Sequence, residues 1–170
     1  MLVQLASKHN YATLGVMKNL AHAVAALLIT AWVGALWAIG YLAAPVLFYA
    51  QPDRQLAGLL AGQMFTWVNY LGMACAAYLL IYRIRLFGGT VLRQPLFWIV
   101  AVMLLITLIL QCGLQPAIAN LKAQVLPADI MHSTLAGRFK MLHGISSILY
   151  LIESLLGVML VIKPRHIFQA

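Results

Sequence analysis

The sequence predicts an all-α membrane protein: an antiparallel bundle of four transmembrane helices with both termini in the cytoplasm. Of its 170 residues, 64% are apolar and 8% are charged, and the mean hydropathy is +0.95. A soluble globular chain carries about 25% charged residues. The chain has four apolar runs, each near the roughly 20 residues that a spanning helix needs. We therefore expect one membrane domain over residues 19–163, between a short cytoplasmic N-terminal segment (1–18) and a cytoplasmic tail (164–170).

The first helix is expected over about 20–49, long enough at about 1.5 Å per residue to cross a bilayer with some tilt. Pro45 lies near its far end. Small residues recur every four positions and so share one face, which lets another helix approach closely; they are Ala26, Thr30, Gly34 and Ala38. We assign Gly34, Ala38 and Pro45 to helix packing.

The second helix is expected over about 56–82, after a tight turn in which Pro52 can open the helix and Asp53 lies in its first turn. It ends at a basic loop, 83–94, that contains two adjacent glycines. The apolar stretch of this helix carries four polar residues, which are Gln63, Thr66, Asn69 and Tyr70.

The third helix is expected to start at Pro95 and to cover about 95–115, where Pro116 disturbs it. The segment that follows, 117–138, is the longest polar connection and is too short for a separate domain. The fourth helix is expected over about 139–162.

Orientation follows from the distribution of the 11 basic residues. Seven lie on the side of the termini, namely Lys8, Lys18, Arg83, Arg85, Arg93, Lys163 and Arg165. Four lie on the other side, namely Arg54, Lys122, Arg138 and Lys140. The positive-inside rule then places both termini in the cytoplasm of a bacterial inner membrane. Because these charges are dispersed, we expect lipid as the partner, with another membrane protein or a second copy of the chain, and no nucleic acid.

The fourth helix carries the most informative polar pattern. At about 100° per residue, its polar side chains fall within an arc of about 120°; they include His143, Ser146, Ser147, Tyr150 and Glu153. Glu153 lies about 15 Å deeper than His143, near the bilayer centre. A carboxyl group there is by default a candidate functional site, because its charge is costly to bury. The alternative is a neutral acid that bonds to Asn69, a tyrosine or a carbonyl.

Other helices offer polar groups at similar depth. Gln111 and Gln115 follow Thr107 at four-residue intervals on helix three, and Asn69 lies on helix two. We predict one polar intrabundle binding site made of Asn69, Gln111, Gln115, His143, Ser146, Ser147, Tyr150 and Glu153. The alternative is that these groups are interhelical hydrogen bonds that hold the helices together.

Familiar enzyme signals do not occur in the sequence. It has no glycine-rich phosphate loop, no Gly-x-Ser-x-Gly elbow and no His-Glu-x-x-His pair. We assign no catalytic residue and no metal ligand, and the residues identify no cofactor. These observations favour a non-enzymatic transport, export-assisting or membrane-organising subunit.

Two other classes of function stay open. The first is a redox protein that binds haem, quinone or copper through His143, with help from Tyr150 or Met141. Soft copper ligands near the same end would be Met131, His132 and Cys112. The second is a structural subunit that docks a partner on the small-residue face of the first helix.

Two stretches resemble a known family. The first is GALWAIGYLAAPVLF, Gly34 to Phe48, and the second is RFKMLHGISSILYL, Arg138 to Leu151. They resemble bacterial members of the domain of unknown function 4149 family and the related transmembrane protein 205-like proteins. The matching positions are Pro45, Phe48, His143, Gly144 and Ser146, and the eukaryotic relatives tend to have Asn where Tyr150 stands. The resemblance covers about 20–162 and implies a four-helix membrane protein without an established activity.

Overall fold

The computed structural model describes residues 2–125 and 130–162, with side chains described from residue 15 onward except at residue 18. Its regular elements are all helical, and the described residues form no strand. Four of the described helices are long and apolar enough to cross a membrane. We call them spans 1 to 4, and they are Gly15–Ala50, Arg54–Arg93, Pro95–Ala123 and Ala136–Ile162. The predicted all-α class and its four apolar helices are confirmed.

Span 1 is one continuous helical unit that changes its hydrogen-bond register near Pro45. Helix α1 (Leu2–Trp37), which begins well before the expected residue 20, leads into a π-helical segment (Ala38–Ala43) and then helix α2 (Ala44–Ala50). The backbone N–H of Ala44 donates to the carbonyl of Ile39, five residues back. A proline ring clashes with the carbonyl four residues before it. The wider π register accommodates Pro45 without ending the helix.

Span 2 begins at a capped helix terminus. Asp53 Oδ1 accepts hydrogen bonds from the backbone N–H of Gln55 at 2.8 Å and of Leu56 at 3.1 Å. Helix α3 therefore starts at Arg54 and runs to Phe87, with Asp53 as its N-cap rather than in its first turn, and Pro52 precedes it. Gly88, at φ +52°, ends the helix, and a 3-10 turn (Gly88–Arg93) follows.

Span 3 continues past its expected end. Helix α4 (Pro95–Leu108) leads through a second π-helical segment (Ile109–Leu114) into helix α5 (Gln115–Ala123). As in span 1, the π segment ends two residues before a proline, here Pro116. Residues 117–123, predicted to be a polar connection, are therefore helical.

Span 4 is helix α6 (Ala136–Ile162), preceded by a 3-10 turn (Ile130–His132). Span 1 packs against spans 2 and 4, and span 3 packs against the same two. Large side chains fill the centre between the four spans, and the most completely buried include Trp32, Leu36, Val100, Met103 and Leu160. The predicted tail, 164–170, lies outside the described residues.

Candidate functional site

Glu153 of span 4 lies in the middle of the protein and is 0% exposed. Its Oε1 accepts a hydrogen bond of 2.7 Å from the hydroxyl of Thr107 on span 3, which is also 0% exposed. Its Oε2 is buried and has no hydrogen-bond partner among the described residues. The deep carboxyl group that the sequence predicts thus bonds to Thr107 through one oxygen. Its other oxygen has no hydrogen-bond partner in the part of the chain that the structure describes.

The hydrogen bonds around Thr107 favour the neutral, protonated form of the Glu153 carboxyl group. The Thr107 hydroxyl also lies 2.9 Å from the carbonyl oxygen of Met103, yet a hydroxyl has only one proton to donate. If Glu153 is neutral, it donates to Thr107 and Thr107 donates to Met103, so each proton has an acceptor. An ionised carboxylate would be held by one hydroxyl alone. Burying such a charge at a helix centre costs about 3 kcal/mol or more.

Beyond the bond between Thr107 and Glu153, three separate polar contacts follow along span 3 toward its end. Asn69 of span 2 donates from Nδ2 to Gln111 Oε1 at 3.0 Å, and Gln115 Nε2 donates to the carbonyl of Gly62 at 3.4 Å. Lys122 Nζ donates to the carbonyl of Gly58 at 3.2 Å. We call this row of polar groups the polar seam; it consists of Lys122, Gln115, Gln111, Asn69, Thr107 and Glu153.

The polar seam reaches Glu153 from one end of the protein only. Lys122, Gln115 and Gln111 are half-buried, whereas Asn69 and Thr107 are fully buried, so burial increases toward Glu153. On the other side of Thr107, most buried side chains of the core are apolar; along spans 2, 3 and 4 they include Cys75, Leu79, Leu96, Val100, Met103 and Leu160. Among the described residues, the buried polar side chains on that side are Ser154, which donates within its own helix, and Arg83. The seam therefore stops at Glu153.

Tyr150 bonds to span 1, and among the described residues its hydroxyl makes no hydrogen bond to the seam. Its hydroxyl donates to the carbonyl oxygen of Leu36 at 2.6 Å, and the backbone N–H of Gly40 meets the same hydroxyl oxygen. The ring packs edge-on against Phe65, with centroids 5.1 Å apart. Tyr150 thereby joins span 4 to the π segment of span 1.

The remaining predicted residues of span 4 do not join the seam. His143 and Ser147 are exposed, and Ser147 donates to the carbonyl of His143 within the same helix. Ser146 likewise donates to Leu142, and the His143 ring stacks on Phe139 at 5.8 Å. The structure thus pairs Asn69 with Gln111 and buries Glu153 against Thr107, but it places His143 and Ser147 on the surface.

Sequence reasoning missed Lys122 as part of the seam, and it missed the carbonyls of Gly58 and Gly62 as acceptors for the seam. The available signal was helical spacing, because Lys122 lies seven residues after Gln115 and so on the same face. The prediction did not use this spacing, because a loop was expected after Pro116. The two glycines present bare backbone to span 3, which brings their carbonyls within reach of long side chains.

A second cluster of polar and aromatic groups lies at the opposite end of span 2. Arg83 is 1% exposed, and its guanidinium lies 4.5 Å from the centroid of the Phe87 ring. His22 of span 1 packs edge-on against Tyr82 at 5.9 Å, and Tyr82 stacks on Tyr78. The expectation that Arg83 belongs to a solvated loop is wrong, because helix α3 extends to Phe87.

Most residues predicted for helix packing or for soft-metal binding are exposed and do not belong to the core. Gly34, Ala38 and Pro45 are exposed, so the small-residue face of span 1 points away from the other spans. Cys75 is buried and Cys112 exposed, and both are free. No group of three or more His, Cys, Asp or Glu side chains suited to a metal ion occurs in the described part of the chain.

A comparison with protein families matches residues 27–126 to the domain of unknown function (DUF4149). That range is more than half of the chain and includes the Gly34–Phe48 stretch that carries the resemblance. The chain belongs to this family. No curated protein and no solved structure matches it. DUF4149 membership confirms the family prediction, while the relation to transmembrane protein 205-like proteins stays a prediction. The matched range covers spans 2 and 3, which supply the seam apart from Glu153.

Proposed function

We propose that this DUF4149 protein is a small transport subunit of the bacterial inner membrane, and that Glu153 is its proton-binding residue. Its four spans cross the bilayer as an antiparallel bundle with both termini in the cytoplasm. The excess of Lys and Arg on the side of the termini supports this orientation. Lys122 then marks the outer end of the polar seam.

The observation that carries the proposal is the environment of Glu153. The carboxyl is fully buried, one oxygen bonds to a single hydroxyl, and the other has no partner in the described part of the protein. An arrangement selected only to hold helices together would use both oxygens, because an unsatisfied buried polar group costs about 1–3 kcal/mol. A metal cation is a poor fit because it needs several oxygen ligands.

The polar seam offers a route by which a proton could reach Glu153 from the periplasmic side. Thr107, Gln111 and Gln115 follow one another at about 6 Å along one face of span 3, and Lys122 lies about 10 Å farther on. Waters bridging such groups would carry the proton. Because the buried side chains between Glu153 and Arg83 are mostly apolar, the resting protein holds the proton without leaking it to the cytoplasm.

Infrared spectroscopy on the protein in lipid vesicles tests the proton-binding site directly. The chain contains only three acidic side chains, so carboxyl bands are easy to assign. We expect a protonated-carboxyl band at neutral pH that decreases as the pH is raised and that is absent in Glu153→Gln. The matched control is Ser154→Ala, because Ser154 is equally buried but donates to Tyr150 within its own helix. A spectrum in which Glu153→Gln changes no carboxyl band would refute the proposal.

Proton movement is measured separately with a pH-sensitive dye trapped inside vesicles. An imposed potential should drive proton uptake faster in vesicles that contain the wild-type protein than in empty vesicles. Glu153→Gln should return the rate to that of empty vesicles, while Ser154→Ala should not. Equal rates for wild type and Glu153→Gln would exclude a role for Glu153 in transport.

A structural subunit that binds a partner is the second candidate, and it is favoured by the outward small-residue face of span 1. Thr30 and Gly34 are exposed there, and a Cβ on Gly34 would meet no atom within 4 Å. On this alternative, Gly34→Leu disrupts a complex isolated from the native membrane, whereas Glu153→Gln has no effect on it. The two proposals therefore predict opposite sensitivities for the same two substitutions.

A further inference from the structure

The phenol of Tyr150 bonds to the backbone of span 1 just before its π segment. Its hydroxyl donates to the carbonyl oxygen of Leu36 at 2.6 Å and meets the N–H of Gly40. The Tyr150 ring occupies the space into which a Cβ on Gly40 would point. The π segment begins two residues after Leu36, so this contact joins span 4 to the point where span 1 changes its hydrogen-bond register.

Tyr150 also lies next to the carboxyl site. It precedes Glu153 by three residues and therefore shares its helix face, and its hydroxyl is within electrostatic range of the carboxyl group. The phenol has a single proton to donate. Two acceptors compete for this proton, namely the carbonyl of Leu36, which holds it in the structure, and Oε2 of Glu153, which has no partner among the described residues.

We propose that Tyr150 is a positioning residue that couples the proton on Glu153 to the shape of span 1, an inference that rests on the proposed function. When Glu153 is neutral, the Tyr150 hydroxyl bonds to Leu36, as in the structure. When Glu153 loses its proton, the hydroxyl turns to the carboxylate. The bond that holds Leu36 to span 4 is then lost, and span 1 shifts at its π segment.

The direction of the change follows from hydrogen-bond strength. A bond to an ionised carboxylate is roughly twice as strong as one between neutral groups, so deprotonation favours the carboxylate as acceptor. The described titratable side chains on the neighbouring spans include His22 and Tyr41 on span 1, Tyr70, Cys75, Tyr78, Tyr82 and Arg83 on span 2, and Cys112 and Lys122 on span 3. Tyr41 is in electrostatic range of Tyr150, and Lys122 bonds to Gly58 at the far end of the seam.

Infrared titration of the vesicle-bound protein also tests the coupling. We expect a tyrosine ring band that shifts as the carboxyl band of Glu153 titrates, at the same midpoint. The shift should be lost in Tyr150→Phe, which keeps the ring beside Gly40 but removes the hydroxyl, and in Glu153→Gln. The matched control is Tyr41→Phe, which changes a neighbouring tyrosine 6.3 Å away and should keep the shift.

The shape of span 1 is followed by the distance between two spin labels that flank the π segment. Leu27 and Tyr49 are 69% and 93% exposed, and both can be replaced by Cys after the exposed Cys112 is changed to Ser. The distance should change with pH in this background and stay constant once Tyr150→Phe or Glu153→Gln is added.

The possible outcomes separate the two proposals. If the carboxyl band titrates but neither the tyrosine band nor the label distance responds, the coupling is refuted and the proton site stands. If no carboxyl band titrates, both proposals fail. Should Tyr150→Phe not fold, ring-deuterated tyrosine in the wild-type protein identifies the tyrosine bands, and Glu153→Gln alone decides whether the shift depends on the carboxyl.

Discussion

Replacing Thr107 by Val removes the hydroxyl that bonds to Glu153 while keeping a side chain of nearly the same shape. Thr107 is fully buried, so no water replaces the lost hydroxyl. Interhelical hydrogen bonds in membrane proteins contribute on average about 0.6 kcal/mol and at most about 1.7 kcal/mol. A bond to a charged group contributes about 1.5–3 kcal/mol. We expect Thr107→Val to lower the free energy of unfolding by about 1 kcal/mol if Glu153 is neutral and by about twice that if it is ionised.

A double-mutant cycle isolates this interaction from other effects of the substitutions. Glu153→Leu alone should cost little, because the Thr107 hydroxyl can still donate to the carbonyl of Met103. The double variant should then be no less stable than Glu153→Leu, since replacing both partners of a buried bond by apolar groups is nearly neutral. Unfolding in mixed micelles at neutral pH supplies the four free energies.

The control cycle pairs Thr107→Val with Ser154→Ala, whose hydroxyl bonds within span 4, and should be additive. A coupling between Thr107 and Glu153 within about 0.3 kcal/mol of zero is indistinguishable from additivity. Such a result would show that the 2.7 Å contact does not stabilise the protein and would refute this account of the carboxyl site.

Two further predictions concern backbone positions. Gly40→Ala should destabilise the protein by about 1–3 kcal/mol, because its Cβ would overlap the Tyr150 ring. Gly34→Ala has open space for its Cβ and should not destabilise it; equal losses for the two would contradict the contact. Asp53→Ala should cost about 1 kcal/mol through loss of the N-cap of helix α3. Asp53→Asn should retain most of that stability, and both are measured by thermal unfolding in detergent.

Part of the carboxyl site could be predicted because it depends on properties within one helix. The depth of Glu153 follows from its position in an apolar run, and the shared face of Gln111 and Gln115 follows from their spacing. Contacts between helices could not be predicted in the same way. Helical periodicity shows which residues share a face, but it does not show which neighbouring span covers that face at each depth. His143 and Glu153 fall in one arc, yet only Glu153 is enclosed.

The two prolines inside spans show a different limit. Pro116 was expected to disturb span 3, and by local rules it should. The π segment before it adds room for the ring, so the helix continues and carries Lys122 to the seam. Pro45 is accommodated in the same way. Whether a proline ends a helix or is absorbed by a π segment depends on packing and side-chain bonds such as that from Tyr150, which lies more than a hundred residues away from Leu36 in the chain.

The sequence by itself determined that the chain has four apolar helices, because the length and polarity of each run are local and a bilayer-spanning helix needs only these. It also determined the deep position of Glu153. The tertiary structure decided that Thr107 is the partner of that carboxyl, that the seam ends there, and that Tyr150 bonds to span 1. These features depend on how four helices rotate and cross, and that is set by contacts between side chains far apart in sequence.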